Sequence, residues 1–294
     1  MSIGLALAGG GLKCVAYIGV FKAIEELGIK IDYISGTSSG SAMAAMYAIG
    51  LKPEEMKKCI TSNYEKLVQI EKRPIISAAT TYIFQKKIKI EGLIPGEKVE
   101  ELISKIAKQK NIENIQDIKI PFAVPTVDTI STKECIFISK KYDIEKEDID
   151  YIYDAPIGKA IRASMAFPGI FTTCKFGKYN FIDGGTKDNL PVEVLKDMGA
   201  QKVIGINFNL DPYNPEGKNI LDILLRTCDI FSLKDVIKAQ KEADLSIKID
   251  APGSSLLTFD NIEENIKIGY DAIMNSKEKI LDLIRKENEI RKEM

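Results

Sequence analysis

The stretch YISGTSSGSAM, residues 33–43, places Ser38 between two glycines, Gly36 and Gly40. An apolar run precedes the serine and small residues follow it, which predicts a strand, a sharp turn and a helix. In such a turn the serine adopts a strained backbone that exposes its hydroxyl, so its neighbours must be small. The pattern predicts a nucleophilic serine, although serines that merely cap a helix would explain the same letters.

The same alternation of short apolar runs and helical segments continues along the chain. It predicts a parallel or mixed sheet with helices on both faces. The predicted strands are Ile3–Ala8, Asp32–Ser35, Phe122–Thr129, Glu134–Ser139, Tyr179–Ile182, Lys202–Phe208 and Leu245–Ile249. The predicted helices are Val15–Leu27, Ser39–Ile49, Pro53–Leu67, Gly96–Lys108, Pro191–Met198 and the tail from Ile262, while Thr80–Lys89 fits either an edge strand or a helix.

The composition is that of an ordinary soluble protein, with 45% hydrophobic residues, 28% charged residues and a net charge of −1. This balance gives no indication of a nucleic-acid partner. Five scattered cysteines without a CxxC pair, in a chain without histidine, argue against a metal site and favour reduced thiols. No apolar stretch is long enough to span a membrane, and the N-terminal run lacks the basic start of a signal peptide. We therefore expect a cytoplasmic protein.

Three glycines, Gly9, Gly10 and Gly11, stand between the first predicted strand and the first predicted helix. Their amides can converge on an anion, as in phosphate cradles and oxyanion holes. The dinucleotide fingerprint fails because Cys14 occupies the place of its third glycine, and no Walker lysine follows. A nucleotide site is therefore disfavoured, whereas a tight turn and an anion-binding loop both remain open.

A serine nucleophile needs a base, and the absence of histidine excludes a Ser-His-Asp triad. The base must be a carboxylate, a lysine, a tyrosine or the terminal amine. Asp183 is the preferred candidate, because it ends an apolar strand and two glycines follow it. Strand ends of an open α/β sheet are where ligands bind, which would bring Asp183 and Ser38 to one edge. Burial would raise the pKa of Asp183, although Asp-Gly-Gly is also an ordinary turn.

Together these motifs resemble the patatin-like phospholipases. The resemblance rests on Gly9-Gly10-Gly11-Leu12-Lys13, Gly36-Thr37-Ser38-Ser39-Gly40, Asp183-Gly184-Gly185, the block AIRASMAFPGIF at 160–171 and the continuation DGGTKDNLPVEVLKDMGAQKVIGIN at 183–207. It covers about residues 4–208, and the helical part from 209 to 294 is less diagnostic. Lys13 departs from the family, in which arginine is commoner, and Tyr17 stands where histidine is frequent.

The resemblance implies a single domain over residues 1–294, folded as a three-layer α/β/α sandwich with a mostly parallel central sheet. It implies a serine lipid acyl hydrolase that uses a Ser-Asp dyad, an acyl-serine intermediate and no cofactor or metal. The implied roles are nucleophile for Ser38, general base for Asp183, oxyanion donors for Gly9, Gly10 and Gly11, and substrate contacts for Lys13, Ser39 and Pro168. The expected partner is a lipid or another acyl ester, with transient peripheral membrane contact. A small-ester or thioester hydrolase and a non-catalytic regulatory module are the alternatives.

Two apolar segments, 80–95 and 219–237, are candidates for lining a lipid cleft or forming a lid. Core packing is nevertheless the expected role of most of their residues. One of the two segments is expected to contact the acyl chain, and polar substitutions at Ile223, Leu224 and Phe231 would test this for the second segment. The tail from Ile262 is predicted to be a packing helix with a solvated face, since isoleucines recur amid many charges.

Overall fold

The computed structural model describes residues 1–67, 69, 91–209, 220–251 and 261–293. The strands are β1 (Ile3–Leu7), β2 (Tyr33–Gly36), β3 (Gly92–Ile94), β4 (Phe122–Asp128), β5 (Glu134–Ile138), β6 (Ile149–Ile152), β7 (Gly169–Phe171), β8 (Cys174–Phe176), β9 (Tyr179–Asp183), β10 (Lys202–Phe208) and β11 (Leu245–Ile249). The α-helices are α1 (Ala16–Glu26), α2 (Ser39–Ile49), α3 (Pro53–Leu67), α4 (Glu97–Lys108), α5 (Ile157–Ser164), α6 (Glu193–Asp197), α7 (Ile220–Glu242), α8 (Ile262–Asn275) and α9 (Lys277–Glu293). Each predicted strand and helix is confirmed, with shifts at the ends only, whereas Thr80–Lys89 lies outside the described residues.

The central sheet has the order β11-β10-β1-β2-β4-β5-β6. The five strands from β11 to β4 are parallel to one another, β5 runs antiparallel to β4, and β6 is parallel to β5. β8 and β9 form an antiparallel pair that joins this sheet through β4, and β3 pairs with β7 separately. The prediction of a mostly parallel sheet is confirmed.

Both faces of the sheet are covered, because alternate side chains of each strand point to opposite sides. Leu5 and Leu7 of β1 pack in a large core with residues of helices α1 to α5 and α8. Ala6 and Ala8 belong to a second core on the other face, with residues of α6 and α7. The sheet is therefore the middle layer of an α/β/α sandwich, as expected.

The helical tail packs on the first large core, which confirms the prediction of a packing helix. Ile273 of α8 and Ile280 of α9 are fully buried there. Gly269 of α8 lies so close to α1 that an added Cβ would come within 1.9 Å of the Ala16 carbonyl oxygen. Glycine is therefore what allows the two helices to approach so closely.

One edge of β4 serves two different strands, and this arrangement positions the candidate site. β4 pairs with β2 at its first two residues, Phe122 and Ala123. The same strand pairs with β9 at its end, where Thr126 lies opposite Asp183. Because β9 runs antiparallel to β4, it begins beyond the ends of the parallel strands and runs back toward them. The expected meeting of Asp183 with the end of β2 is found, but an antiparallel strand produces it.

Candidate active site

Ser38 lies in the turn between β2 and α2, with φ of 53° and ψ of −128°. Side chains other than glycine rarely adopt this conformation, so the turn stores strain at this residue. An added Cβ on Gly36 would come within 2.4 Å of the Gly40 carbonyl oxygen, and one on Gly40 within 2.5 Å of the Ala8 carbonyl oxygen. The two glycines are therefore required by the close approach of backbone on each side of Ser38.

The hydroxyl of Ser38 does not cap the helix that follows it. Ser38 occupies the N-cap position of α2, yet its side chain makes no capping hydrogen bond. Its Oγ instead donates to Oδ2 of Asp183 at 2.5 Å, across 145 positions of the chain. The side chain of Ser38 is therefore directed to Asp183 and not to the helix end.

Asp183 ends β9 with its carboxyl group almost entirely removed from solvent, at 1% exposure. Burial raises the pKa of Asp183 from 3.8 to about 7, because the ionised form loses its hydration. Hydrogen bonds from the Ser38 hydroxyl and from the Gly185 amide, the latter at 2.8 Å, oppose that increase. The carboxylate thus becomes a base of suitable strength near neutral pH.

A second Ser-Asp pair in the structure has a different electrostatic environment. Ser131 donates its hydroxyl to Asp128 at 2.7 Å, in the turn between β4 and β5. Burial would raise the pKa of Asp128, but hydrogen bonds from the Asn180 amide and from the hydroxyl and amide of Ser131 outweigh it and lower the pKa. Asp183 accepts fewer hydrogen bonds than Asp128, so burial prevails and raises the pKa of Asp183, whereas the pKa of Asp128 is lowered.

The glycine loop lies beside the dyad. The Gly9 amide already donates to Asn189, at 3.1 Å to Oδ1 and at 3.3 Å to the backbone oxygen. The Gly10 amide donates to Oγ of Ser39 at 3.2 Å, a weaker contact, and Gly11 has a positive φ of 60°. The amides of Gly10 and Gly11 are therefore the better placed donors to an anion at the loop, because the Gly9 amide already donates to Asn189.

Two polar residues that the sequence analysis did not select hold these parts together. Ser164 of α5 accepts a hydrogen bond from the Ser38 amide at 2.9 Å and donates to the Pro125 carbonyl oxygen at 2.7 Å. Asn189 lies between the glycine loop and the turn after Asp183. Both fall inside stretches that carry the family resemblance, yet serine and asparagine are common in turns, so nothing local marks them.

The three predicted substrate contacts take different positions. Lys13 is buried within the turn that follows the glycine loop, and Ser39 is buried beneath that loop, where it accepts the Gly10 hydrogen bond. Pro168 is half-buried in the segment between α5 and β7. Across the described ranges, no group of three or more His, Cys, Asp or Glu side chains could hold a metal ion.

Comparisons with known proteins place this chain among proteins of one family. The family model of the patatin-like phospholipases matches residues 5–196. A lysophospholipase NTE1 of Debaryomyces hansenii is 31% identical over 70% of this chain, and the human patatin-like phospholipase domain-containing protein 6 is 28% identical over 70%. The chain spans only 12% and 13% of the lengths of these two relatives.

A solved structure shares the fold at low sequence identity. VipD from Legionella pneumophila superposes with a TM-score of 0.52 at 15% identity, over 93% of this chain and 66% of VipD. At that identity the likeness concerns the fold alone. The family match covers well over half of the chain, and it includes the glycine loop, the Ser38 turn and Asp183. This chain belongs to the patatin-like phospholipase family.

Proposed function

We propose that this protein is a serine hydrolase of lipid acyl esters, with Ser38 as nucleophile and Asp183 as general base. The observation that carries the proposal is the 2.5 Å hydrogen bond between the Ser38 hydroxyl and the buried carboxyl group of Asp183. The strained turn presents that hydroxyl, and a pKa of about 7 lets Asp183 accept its proton near neutral pH.

The reaction begins when Oγ of Ser38 attacks the acyl carbon and its proton moves to Oδ2 of Asp183. The bond between the acyl carbon and the leaving alcohol then breaks, and Asp183 returns the proton to that alcohol's oxygen. This leaves an ester between the acyl group and Ser38. Asp183 next takes a proton from water, whose oxygen attacks the ester, and Ser38 recovers its proton as the carboxylic acid leaves.

Charge that develops on the acyl oxygen requires donors in place before the reaction. We assign this role to the amides of Gly10 and Gly11, because Asn189 already accepts the Gly9 hydrogen bond. The Gly10 amide would exchange its long contact with Ser39 for the oxyanion. Removal of one such donor typically lowers kcat by about 10²–10³-fold.

The proposed substrate class is a lysophospholipid or phospholipid. The family match and the lysophospholipase name of the 31% identical relative support a lipid ester over a small soluble ester. The dyad itself would cleave either kind of ester, so only the substrate profile separates the two.

The test compares wild type, Ser38→Ala and Asp183→Asn on lysophosphatidylcholine and on soluble p-nitrophenyl esters of increasing chain length. We expect wild type to hydrolyse both, with a preference for long chains, and each variant to lose about 10³-fold or more in kcat. A fluorophosphonate probe should label wild type at Ser38 and leave Ser38→Ala unlabelled.

Ser131→Ala is the matched control, because Ser131 also donates to an aspartate but sits in a turn outside the site. It should keep wild-type activity. Full activity in Ser38→Ala would refute the mechanism, whereas activity on short esters alone would retain the dyad and overturn the lipid substrate.

A further inference from the structure

Helix α7 exposes large apolar side chains along much of its length. Seven large apolar side chains of the described residues are exposed, and six of them belong to α7. We call these six the α7 apolar face: Ile223, Leu224, Ile230, Phe231, Leu233 and Ile237. Phe231 is 72% exposed and Ile230 61%. This finding corrects the expectation that residues of segment 219–237 pack mainly in the core. Ile223, Leu224 and Phe231 are exposed to solvent.

The spacing places three of these six residues on one stripe of the helix. Ile223, Ile230 and Ile237 follow one another at intervals of seven, which is two helical turns, so they share one stripe. Lys234 and Lys241 lie four residues after two of these isoleucines and fall on the same stripe. The stripe therefore combines three exposed isoleucines along α7 with two lysines in its C-terminal half.

The opposite side of α7 packs on the protein near the dyad. Ser232 and Ala239 are buried on that side. On that side α7 also contacts the turn Gly184–Thr186, which directly follows Asp183. Leu224 lies at the edge of the α7 apolar face and also contacts β7, because its Cδ1 would be 3.2 Å from a Cβ on Gly169. One side of the helix thus contacts the catalytic region while the other faces solvent.

We propose that the α7 apolar face docks the protein on an anionic lipid bilayer and sets the active site beside the lipid surface. The proposal rests on the proposed function, since it explains how a substrate held in a bilayer reaches Ser38. No helix in the described parts of the chain has the length and apolarity to span a membrane, so this docking is peripheral. Apolar side chains enter the acyl boundary in such a geometry, while lysines reach lipid phosphates.

The lysines favour a lipid surface over a second protein copy. Protein interfaces are depleted in lysine, whereas interfacial helices combine lysine with phenylalanine and leucine. Lys234 and Lys241 are exposed and make no ion pair with the described residues, so both are available to lipid phosphates. Each lysine near an anionic surface raises partitioning by about fivefold.

The test uses vesicle flotation of the full chain carrying Ser38→Ala, so that binding is measured without hydrolysis. Vesicles of phosphatidylcholine alone are compared with an equimolar mixture of phosphatidylcholine and phosphatidylglycerol. Adding Ile230→Ser and Phe231→Ser should lower partitioning onto both vesicles by about tenfold or more. Adding Lys234→Gln and Lys241→Gln should lower it by about tenfold or more on the anionic vesicles and within about twofold on phosphatidylcholine.

Ile130→Ser is the matched control, because Ile130 is the exposed apolar side chain that lies outside α7, at 70%. It should leave partitioning unchanged. When the α7 variants are made in the protein that keeps Ser38, their hydrolysis of a short soluble ester should stay within about twofold of wild type. Their hydrolysis of vesicle lipid should fall about tenfold.

The two proposals fail in different measurements. A wild type inactive on every ester overturns the proposed function, while flotation of the Ser38→Ala protein still decides the docking. Equal partitioning with and without Ile230 and Phe231 overturns the docking surface. A dimer in sedimentation velocity that Phe231→Ser dissociates, without vesicle binding, also overturns it and assigns the face to a second copy.

Discussion

Replacing Asp183 with Asn should abolish hydrolysis. The stability of this variant relative to wild type should also increase as the pH rises. Burial raises the pKa of Asp183 from 3.8 to about 7 in the folded state. This difference of about 3 units, at about 1.36 kcal/mol per unit, corresponds to about 4 kcal/mol. The contribution is fully present below the unfolded pKa and is lost as the pH rises through the folded pKa, because the folded state holds the proton more tightly.

The assay is urea unfolding of wild type and Asp183→Asn at about pH 5.5 and about pH 8.5. Wild type loses stability only over the span of about 1.5 pH units between about pH 5.5 and the folded pKa of Asp183. From about pH 5.5 to about pH 8.5, the free energy of unfolding of the variant should therefore gain about 2 kcal/mol relative to that of wild type. The lost hydrogen-bond geometry of the carboxylate adds an offset that does not depend on pH. That offset cancels when the two pH values are compared.

Glu134→Gln is a useful control because burial also raises the pKa of Glu134, while Glu134 is no part of the dyad. The stability of Glu134→Gln relative to wild type should also increase as the pH rises, while hydrolysis is retained. A difference between wild type and Asp183→Asn that stays constant with pH, to within about 0.5 kcal/mol, would refute the reasoning that burial controls this carboxyl group.

Four further outcomes follow from the site. In wild type, kcat/KM should fall about tenfold per unit below pH 7 as Asp183 is protonated, and a flat profile between pH 5 and 8 would exclude it as the base. Gly40→Ala should lose about 3 kcal/mol in urea unfolding, since its Cβ meets backbone oxygen at 2.5 Å; an unchanged midpoint would contradict this. Asn189→Ala should lower kcat about fivefold to tenfold with KM nearly constant, because the glycine loop loses the side-chain acceptor of the Gly9 amide. Asn189→Asp keeps an acceptor oxygen at this position, so an equal loss of kcat in the two variants would mean that the side-chain amide itself matters. Ser164→Ala should lose about 1–3 kcal/mol of stability together with activity, because the amide of the nucleophile loses its acceptor, and full activity would show that the turn holds its conformation without it.

Much of the fold could be predicted because the longer elements carry strong local patterns. β10 and β11 were predicted with their observed ends, as was α2. The short strands β3, β6, β7 and β8 were missed, since three or four residues cannot establish an alternation, and no helix was predicted at α5 or α7. The many apolar residues of segment 219–237 favour a cleft lining, a lid or core packing, because the sequence alone does not say that they face solvent.

The site was predicted less evenly. The pattern around Ser38 identified the nucleophile candidate, because glycines are needed wherever backbone approaches closely. The amides of Gly9, Gly10 and Gly11 look equivalent in sequence, but Gly9 donates to Asn189, 180 positions away, and Gly10 donates to Ser39. Such partners depend on long-range packing that no local preference encodes.

The sequence by itself determined the layered α/β architecture, the strained serine turn and the need for a base other than histidine, because these follow from local periodicity, small residues and composition. Only the tertiary structure decided which side chains meet and in which direction their pKa values move. The edge of β4 holds β2 and β9 in succession, and this brings Asp183 to Ser38. Asp183 and Asp128 each accept a serine hydroxyl, yet their pKa values move in opposite directions, because burial and the number of donors are properties of the folded surroundings.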